Sequence, residues 1–291
     1  MAVSGVLNVG KPRGPTSFQV VGQVRRLTGQ RRVGHGGTLD PLAEGVLPVL
    51  LGRATRLARY LLELPKAYLV EGRLGQATAT YDAEGEVTWQ ADPWAVTAQS
   101  LQEALGGFLG AIRQLPPPYS AVRVGGRRAY ARARAGEALQ LLPRTVHVYR
   151  LQLLEFRPPL FVLEVECGRG TYVRSLVHDL GLRLGCGAHV TRLVRLRVGP
   201  FALEEAVPLE RLAQEWRARL LPPDAAVSHL PAVRLEEDQA QAVAHGRPLP
   251  LAAAPGDAQR LRGYDGQGRL LAVLRREDIS GLWRPETVLA S

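Results

Sequence analysis

A chain of 291 residues with 46% hydrophobic residues can bury one large core and a smaller second one, and no apolar run in it is long enough to span a bilayer. The formal charge of +10 rests almost wholly on arginine, since only Lys11 and Lys66 are lysines. Two cysteines, Cys167 and Cys186, exclude a disulfide scaffold and form no CxxC metal pair, so each is expected as a small buried apolar residue. Guanidinium groups suit a polyanion, because they bind phosphate through paired donors and stack on bases. An Ala-, Arg-, Leu- and Gly-rich chain is also what GC-rich codons produce, so the charge favours nucleic acid without choosing RNA or DNA. Met1 to Leu7 offer no basic leader, extended apolar core or cleavage site, and the expected compartment is the cytoplasm.

In chain order, Val6–Val9 reads as a short strand running into Gly10-Lys11-Pro12-Arg13-Gly14-Pro15. Thr16 or Ser17 then caps a helix whose apolar face is Val20, Val21, Val24 and Leu27, and Gly29 ends it. Gly5 to Lys11 also satisfies the opening of a phosphate-binding loop, G-x-x-x-x-G-K. The next residue is Pro12 where a Ser or Thr hydroxyl is needed, and the intervening residues are strand-like, so nucleotide triphosphate binding is rejected.

The stretch Gly34-His35-Gly36-Gly37-Thr38-Leu39-Asp40-Pro41-Leu42-Ala43-Glu44-Gly45-Val46-Leu47-Pro48-Val49 sets one carboxylate, Asp40, between a glycine-rich turn and an apolar run. Its glycines let the backbone pass close to a ligand, and Pro41 biases Asp40 away from the helical region. An Asp before Pro is commonly a plain turn residue. Three glycines, two prolines and a buried continuation around a single acid point instead to a stiff loop built to orient it.

Gly52–Leu62 reads as a helix on which Arg53, Arg56 and Arg59 recur every third residue; phosphate contact and a solvated basic face fit equally well. Lys66–Gly75 reads as a strand. Gln76–Glu86 reads as a polar turn whose acids, Asp82 and Glu84, fit no calcium loop and are expected in solvent. A helix is expected around 98–109. Three prolines at 116–118 then lead to a Gly125-Gly126 hairpin and to Arg123, Arg127, Arg128, Tyr130, Arg132 and Arg134, an alternation suited to a lid that tracks a phosphate backbone and stacks on bases. Leu160–Cys167 alternates as a strand and enters Gly168-Arg169-Gly170-Thr171-Tyr172-Val173-Arg174-Ser175-Leu176, a turn opening a helix with Val173, Leu176, Val177, Leu180 and Leu184 inward. The helix macrodipole disfavours an arginine at a helix start, so Arg174 wants another partner, and a buried carboxylate such as Asp40 supplies one. Composition shifts near Leu221-Pro222-Pro223-Asp224. Beyond it come a short helix at 236–244 and strand-like runs at 261–264 and 269–274, a small β-rich module expected to dock on the main body.

The string around Asp40 resembles the signature of the pseudouridine synthases, and within them the tRNA pseudouridine-55 synthase family (TruB), whose motif reads close to GHTGTLDPxATGVL. Gly36 and Glu44 depart from it without touching the acid. The Lys11-Pro12 segment, Gly168–Leu176 and Leu184–Leu193 resemble further motifs of the same family in the same order. The resemblance implies an α+β fold: a catalytic domain, residues 1–229, with a mixed, largely antiparallel central sheet flanked by helices and a basic insertion at about 116–145, then a PUA-like RNA-binding domain at 230–291. It implies a cofactor-free, metal-free isomerisation of uridine to pseudouridine in the T-loop of tRNA, by base flipping and an aspartate nucleophile. Asp40, Tyr68 and Arg174 are the implied catalytic set, with attack at C1′ or uracil C6 left open. Tyr68 stacks on the flipped base, His35 helps displace it and Leu193 walls the uracil pocket. Lys11, Gly37, Tyr172 and Arg127 complete the implied substrate contacts. The expected partner is tRNA through its T-stem-loop, with no membrane and no obligate protein partner, the chain acting as a monomer. Two rivals stand beside this reading: an RNA-binding or RNA-folding factor on the same scaffold, and a synthase for another RNA. No motif places a second acid beside Asp40, which removes an aspartate-based phosphotransferase or protease.

Overall fold

Within the central sheet, the segments Gly5–Lys11 and Glu44–Leu51 are buried on both faces, whereas Leu160–Cys167 alternates between buried and half-buried positions. The computed structural model describes residues 3–120, 123–124, 127–128, 141–251 and 254–289, with only the backbone at 123–124 and 127–128. In chain order it holds β1 (Gly5–Lys11), α1 (Ser17–Thr28), β2 (Val33–His35), β3 (Glu44–Leu51), α2 (Ala58–Glu63), β4 (Lys66–Leu74), β5 (Gln76–Thr78), β6 (Val87–Gln90), α3 (Ala98–Leu105) and β7 (Gly110–Gln114). Two short paired strands follow, β8 (Arg123–Val124) and β9 (Arg127–Arg128), then β10 (Arg144–Arg157), β11 (Leu160–Cys167), α4 (Val173–Arg183), β12 (Ala188–Val198), β13 (Phe201–Ala202), β14 (Val207–Pro208) and α5 (Leu212–Glu215). The main sheet runs β14-β1-β3-β12-β4-β11-β10-β7. Only β1–β14 and β3–β12 are parallel along that path, so the sheet is mixed and largely antiparallel, as expected.

Helix α1 starts where the sequence places it. The Thr16 side chain accepts from the Gln19 N–H, the Gln19 side chain returns to the Thr16 N–H, and Gly29 closes the helix at φ 66°. Its buried stripe is Ser17, Val20, Val21, Val24 and Thr28, of which Val20 and Val24 share a core with Leu47, Val49, Leu212 and Trp216. Leu27, expected inward, is exposed, because the stripe advances from Val24 to Thr28 and leaves Leu27 beyond its edge. The helix expected over Gly52–Leu62 begins instead as a 3-10 segment, Gly52–Leu57, before α2; the one expected at 98–109 is α3 followed by a 3-10 turn at Gly106–Phe108. Both cysteines are buried. Helices α3 and α4 cover the face of the sheet carrying Tyr68, Val70, Phe161, Leu163 and Val165.

The C-terminal module adds β15 (Ala232–Arg234), α6 (Glu237–Ala244), β16 (Arg260–Tyr264), β17 (Leu270–Arg276) and β18 (Trp283–Val288), in a four-stranded sheet of order β15-β16-β17-β18. Sequence patterning finds β16, β17 and α6. It misses β15, only three residues long, and β18, which carries Pro285 inside a strand. Val273 and Leu289 of this module share a core with Val6 and Leu50 of the main sheet.

The arginines of the 52–59 segment have a third role, outside the two readings of the sequence. Arg53 Nη1 donates to the Leu289 carbonyl at 3.2 Å and Arg56 Nη1 to the Val288 carbonyl at 2.6 Å, while Arg59 pairs with Glu286. Tyr60 Oη donates to Glu286 Oε2 at 2.9 Å and lies 2.9 Å from Thr287 Oγ1; Arg260 Nε donates to the same carboxylate at 2.9 Å. Burial pushes the Tyr60 phenol up to about 12. Burial alone would raise the Glu286 carboxyl, but hydrogen bonds from Arg260, Arg59 and Tyr60 outweigh it and hold it below its ordinary value. The sign follows: this clamp is fully formed above the ordinary carboxylate range and is lost as pH falls through the lowered value. Replacing Glu286 with Ala strands three donors, and a loss of about 1–3 kcal/mol is expected, read by urea unfolding at neutral pH. The same unfolding repeated at acid pH should show the gap between wild type and variant closing.

Candidate active site

Arg174 sits in the first turn of α4, only 4% exposed, and the turn before it is bracketed by one side chain. Gln114 accepts from the Tyr172 N–H at 2.8 Å and donates to the Tyr172 carbonyl at 3.0 Å, and Ser175 Oγ donates to the Leu115 carbonyl at 2.7 Å. The end of β7 thereby fixes the start of α4. From that position the guanidinium spans two acids. Nη2 reaches Asp40 Oδ2 at 2.8 Å and Nη1 reaches Asp82 Oδ2 at 3.1 Å. The Thr80 and Tyr119 carbonyls accept from the same two nitrogens at 2.8 and 3.0 Å.

The two carboxylates differ in access. Asp40 is 34% exposed and opens toward solvent, whereas the Asp82 side chain is 6% exposed. Asp82 is therefore not the solvated turn residue expected from sequence, and a second acid does stand beside the Asp40–Arg174 pair. Its turn is folded inward by long-range bonds: the Ala83 N–H donates to the Val190 carbonyl at 2.8 Å and the Val190 N–H to the Tyr81 carbonyl at 3.1 Å. Tyr81 adopts φ 64° and stacks on His178, one helical turn beyond Arg174, with ring centroids 3.7 Å apart. A non-glycine residue at such a φ is uncommon, and this one marks the tight reversal that delivers Asp82 to the arginine.

The Asp40 loop is held by backbone contacts from three directions. Ser17 Oγ accepts from the Leu39 N–H at 2.8 Å and donates to the Leu39 carbonyl at 3.0 Å, which ties the loop to the first turn of α1. The Gly14 N–H donates to the Pro41 carbonyl at 2.8 Å. Lys11, 2% exposed, directs Nζ to the carbonyls of Pro12, Pro41 and Ala43. Burial pulls its ammonium down to about 8, against the charge of Asp40. The departures from the family pattern fit locally: a Cβ on Gly36 would stand 2.5 Å from Leu61 Cδ1, and Glu44 pairs with Arg192 at 2.8 Å.

Tyr68 and Leu193 are buried in one apolar cluster with Leu39 and Leu42, flanking the acid in the chain. Burial pushes the Tyr68 phenol up, opposed by Arg195. Tyr172 is half-buried, and burial raises its phenol too. His35 Nδ1 accepts from the Gly37 N–H at 3.2 Å, and burial followed by the charge of Arg195 lowers its pKa, which favours the neutral imidazole. Gly37 takes φ 143° in the same turn. The backbone of Arg127 pairs with Val124 in β9–β8; its side chain, with the lid expected over the basic insertion, lies outside the described residues. Among the described residues no group of three or more His, Cys, Asp or Glu is placed to hold a metal, and no helix is long and apolar enough to cross a membrane.

Sequence reasoning passed over Asp82 and Arg195. Asp82 carried no signal beyond a polar turn. Arg195 did carry one, a charge set among Leu193, Val194 and Leu196 in the strand Ala188–Val198, where it is 1% exposed.

This fold recurs in solved structures. A chain of a Cbf5-Nop10-Gar1 complex superposes with TM-score 0.75 at 30% identity, covering 98% of this chain and 85% of that one. A chain of an H/ACA RNP bound to a substrate RNA containing 2'-deoxyuridine does so with TM-score 0.74 at 28% identity, covering 99% and 85%. The model of the TruB family pseudouridylate synthase N-terminal domain matches residues 25–173, and that of the tRNA pseudouridylate synthase B C-terminal domain matches 174–228. Relatives named tRNA pseudouridine synthase B are 44% identical in Dehalococcoides mccartyi, over 99% of this chain and 97% of theirs, and 51% identical in Symbiobacterium thermophilum, over 84% and 82%. The chain belongs to the TruB family of pseudouridylate synthases and is an isomerase of that class. Its C-terminal β module fits the PUA-like domain that the sequence resemblance implied.

Asp82→Asn keeps the volume of the turn but leaves Arg174 with one charged partner. A pseudouridine-forming rate lowered about 10- to 100-fold is expected, with RNA affinity changed little, because small displacements of a reacting group cost about that much. Single-turnover kinetics beside a filter-binding titration check it.

Proposed function

We propose that this enzyme converts uridine-55 in the T-loop of tRNA to pseudouridine, with Asp40 as nucleophile. The observation that carries the reading is a half-open carboxylate held at 2.8 Å by a guanidinium that is itself closed from solvent. The names of the relatives support tRNA as the substrate class. A carboxylate attacks in its ionised form, and the guanidinium beside Asp40 fixes the direction in which it points.

The reaction conserves every atom. The bond from ribose C1′ to uracil N1 breaks, the base turns, and a bond from C1′ to C5 forms; the C5 proton is lost and N1 gains one. No oxidant, reductant or activated donor is consumed. A stacked uridine is buried in folded RNA, so it must be extruded first, at a cost of roughly a few kcal/mol. Contacts from arginines to phosphate offset that cost without reading the base. In this reading Leu193 and Tyr68 receive the uracil ring, Tyr68 standing ready for the C5 proton, and His35 serves at the mouth of the pocket as a neutral ring.

Incubating the protein with an unmodified tRNA transcript and mapping pseudouridine by selective derivatisation tests this. One modified T-loop uridine is expected, absent with Asp40→Asn, while that variant keeps RNA affinity within about threefold, since phosphate contacts supply most of the binding. Tight binding by the wild type without any pseudouridine would favour an RNA-folding factor; modification confined to ribosomal fragments would move the substrate to another RNA.

A further inference from the structure

Arg195 is the largest fully buried side chain among the described residues, and its hydrogen-bond acceptors are backbone carbonyls. Nε donates to Val46 at 2.7 Å, Nη1 to Thr38 at 3.2 Å and Nη2 to Gly37 at 3.0 Å. These acceptors lie 149 to 158 residues away in the chain, on the two arms of the loop that carries Asp40. Two glycines make the arrangement possible. Gly37 reaches φ 143°, and at Gly45, φ 106°, a Cβ would stand 2.3 Å from the Arg195 carbonyl oxygen. Strand β12 thus lies directly on the loop, and its arginine threads back beneath the turn.

Arg195 is also the direct cross-strand partner of Tyr68 in the β12–β4 ladder, so the two side chains share a face. The cation opposes the rise that burial causes in the phenol's pKa. Withdrawing a guanidinium from water costs several kcal/mol, and an apolar side chain of equal volume fills a core more cheaply. Packing alone therefore does not account for a cation here.

We infer that Arg195 is a positioning residue for the reaction: bonded to the 37–38 turn and paired across the ladder with Tyr68, it sets the position of that tyrosine relative to Asp40. The inference rests on the proposed roles of Asp40 and Tyr68. Arg195 touches neither substrate nor reacting atoms; it acts through the turn and the tyrosine. Removing its charge also removes a field that favours the phenolate, so a variant lacking the cation should need higher pH to reach its full rate.

The test compares Arg195→Lys and Arg195→Gln with wild type, in both the Tyr68 and the Tyr68→Phe backgrounds, on an unmodified tRNA transcript. Thermal melting first establishes that each variant is folded. With Tyr68 present, Arg195→Lys is expected to bind the transcript within about threefold of wild type and to lose about 10- to 100-fold in single-turnover rate. The Arg195→Gln rate should continue to climb at pH values where the wild-type rate has levelled. In the Tyr68→Phe background the Lys substitution should cost no more than about twofold, because coupled residues are not additive. A folded Arg195→Lys variant with wild-type rate and pH profile, or an equal loss in both backgrounds, overturns the inference. If the Arg195 variants do not fold, the ¹⁵N resonances of the Arg195 side chain decide: a shift on Tyr68→Phe alone supports the link and unchanged signals overturn it. Wild-type protein that forms no pseudouridine would contradict the functional reading instead, and the resonance shift would still judge the Arg195–Tyr68 contact.

Discussion

A guanidinium closed from solvent between two carboxylates is the constraint around which the rest is arranged. Arg174 stands at the positive end of a helix dipole, which disfavours a cation, and is nearly fully buried, which disfavours one further. It is tolerated because Asp40, Asp82 and two carbonyls meet it. Each partner arrives from a different part of the chain. The loop after β2 brings Asp40, the turn after β5 brings Asp82, the segment after β7 brings the Tyr119 carbonyl, and β11 feeds the turn into α4. The sheet order β3-β12-β4-β11 is what sets those strand ends side by side. Of the two acids only Asp40 keeps a solvent-facing side, so the same ion pair that completes the core leaves one carboxylate available for chemistry.

Three other buried cations share a habit that stiffens the loops around them. Lys11, Lys66 and Arg195 each donate to three backbone carbonyls. Lys66 closes the C-terminal end of α2 through Leu61, Leu62 and Leu64, where the last carbonyls of a helix lack partners. Lys11 and Arg195 do the same for the two sides of the Asp40 loop, beside the packing of Leu39 and Leu42. A glycine-rich loop gains conformational reach at an entropic cost, and buried cations restore the order that the glycines give up. A second cluster of arginine and acid, around Glu286 and Tyr60, docks the C-terminal module.

Local chemistry was well legible in the sequence. Of the two caps read for α1, Thr16 is the one used, and Gly29 ends the helix; the misfit of an arginine at a helix start does mark an acid partner, though Asp40 is half-open and the buried acid is Asp82. What could not be read depends on contacts across long stretches of chain. Asp82 meets Arg174 over a separation of 92 residues, and nothing in a polar turn announces that it folds inward. Arg53, Arg56 and Arg59 looked like a free basic face because the module they grip lies more than two hundred residues further on. Leu27 was placed inward by spacing alone, whereas the actual buried stripe is set by which helix and strand pack against α1. Arg195 was visible as an odd charge in a buried strand, but its meaning required the cross-strand register with Tyr68.

If Asp40 is the nucleophile as proposed, one planar guanidinium, bonded to both acids at once, holds it ready for attack. Arg174→Lys tests it most directly, because an ammonium preserves the charge and cannot span two carboxylates with paired donors. Single-turnover pseudouridine formation and tRNA affinity should be measured on the same folded protein. A rate reduced by about a hundredfold or more with affinity nearly unchanged is the predicted result. A Lys variant as fast as wild type would show that charge alone suffices and that the two-acid geometry is incidental to the reaction.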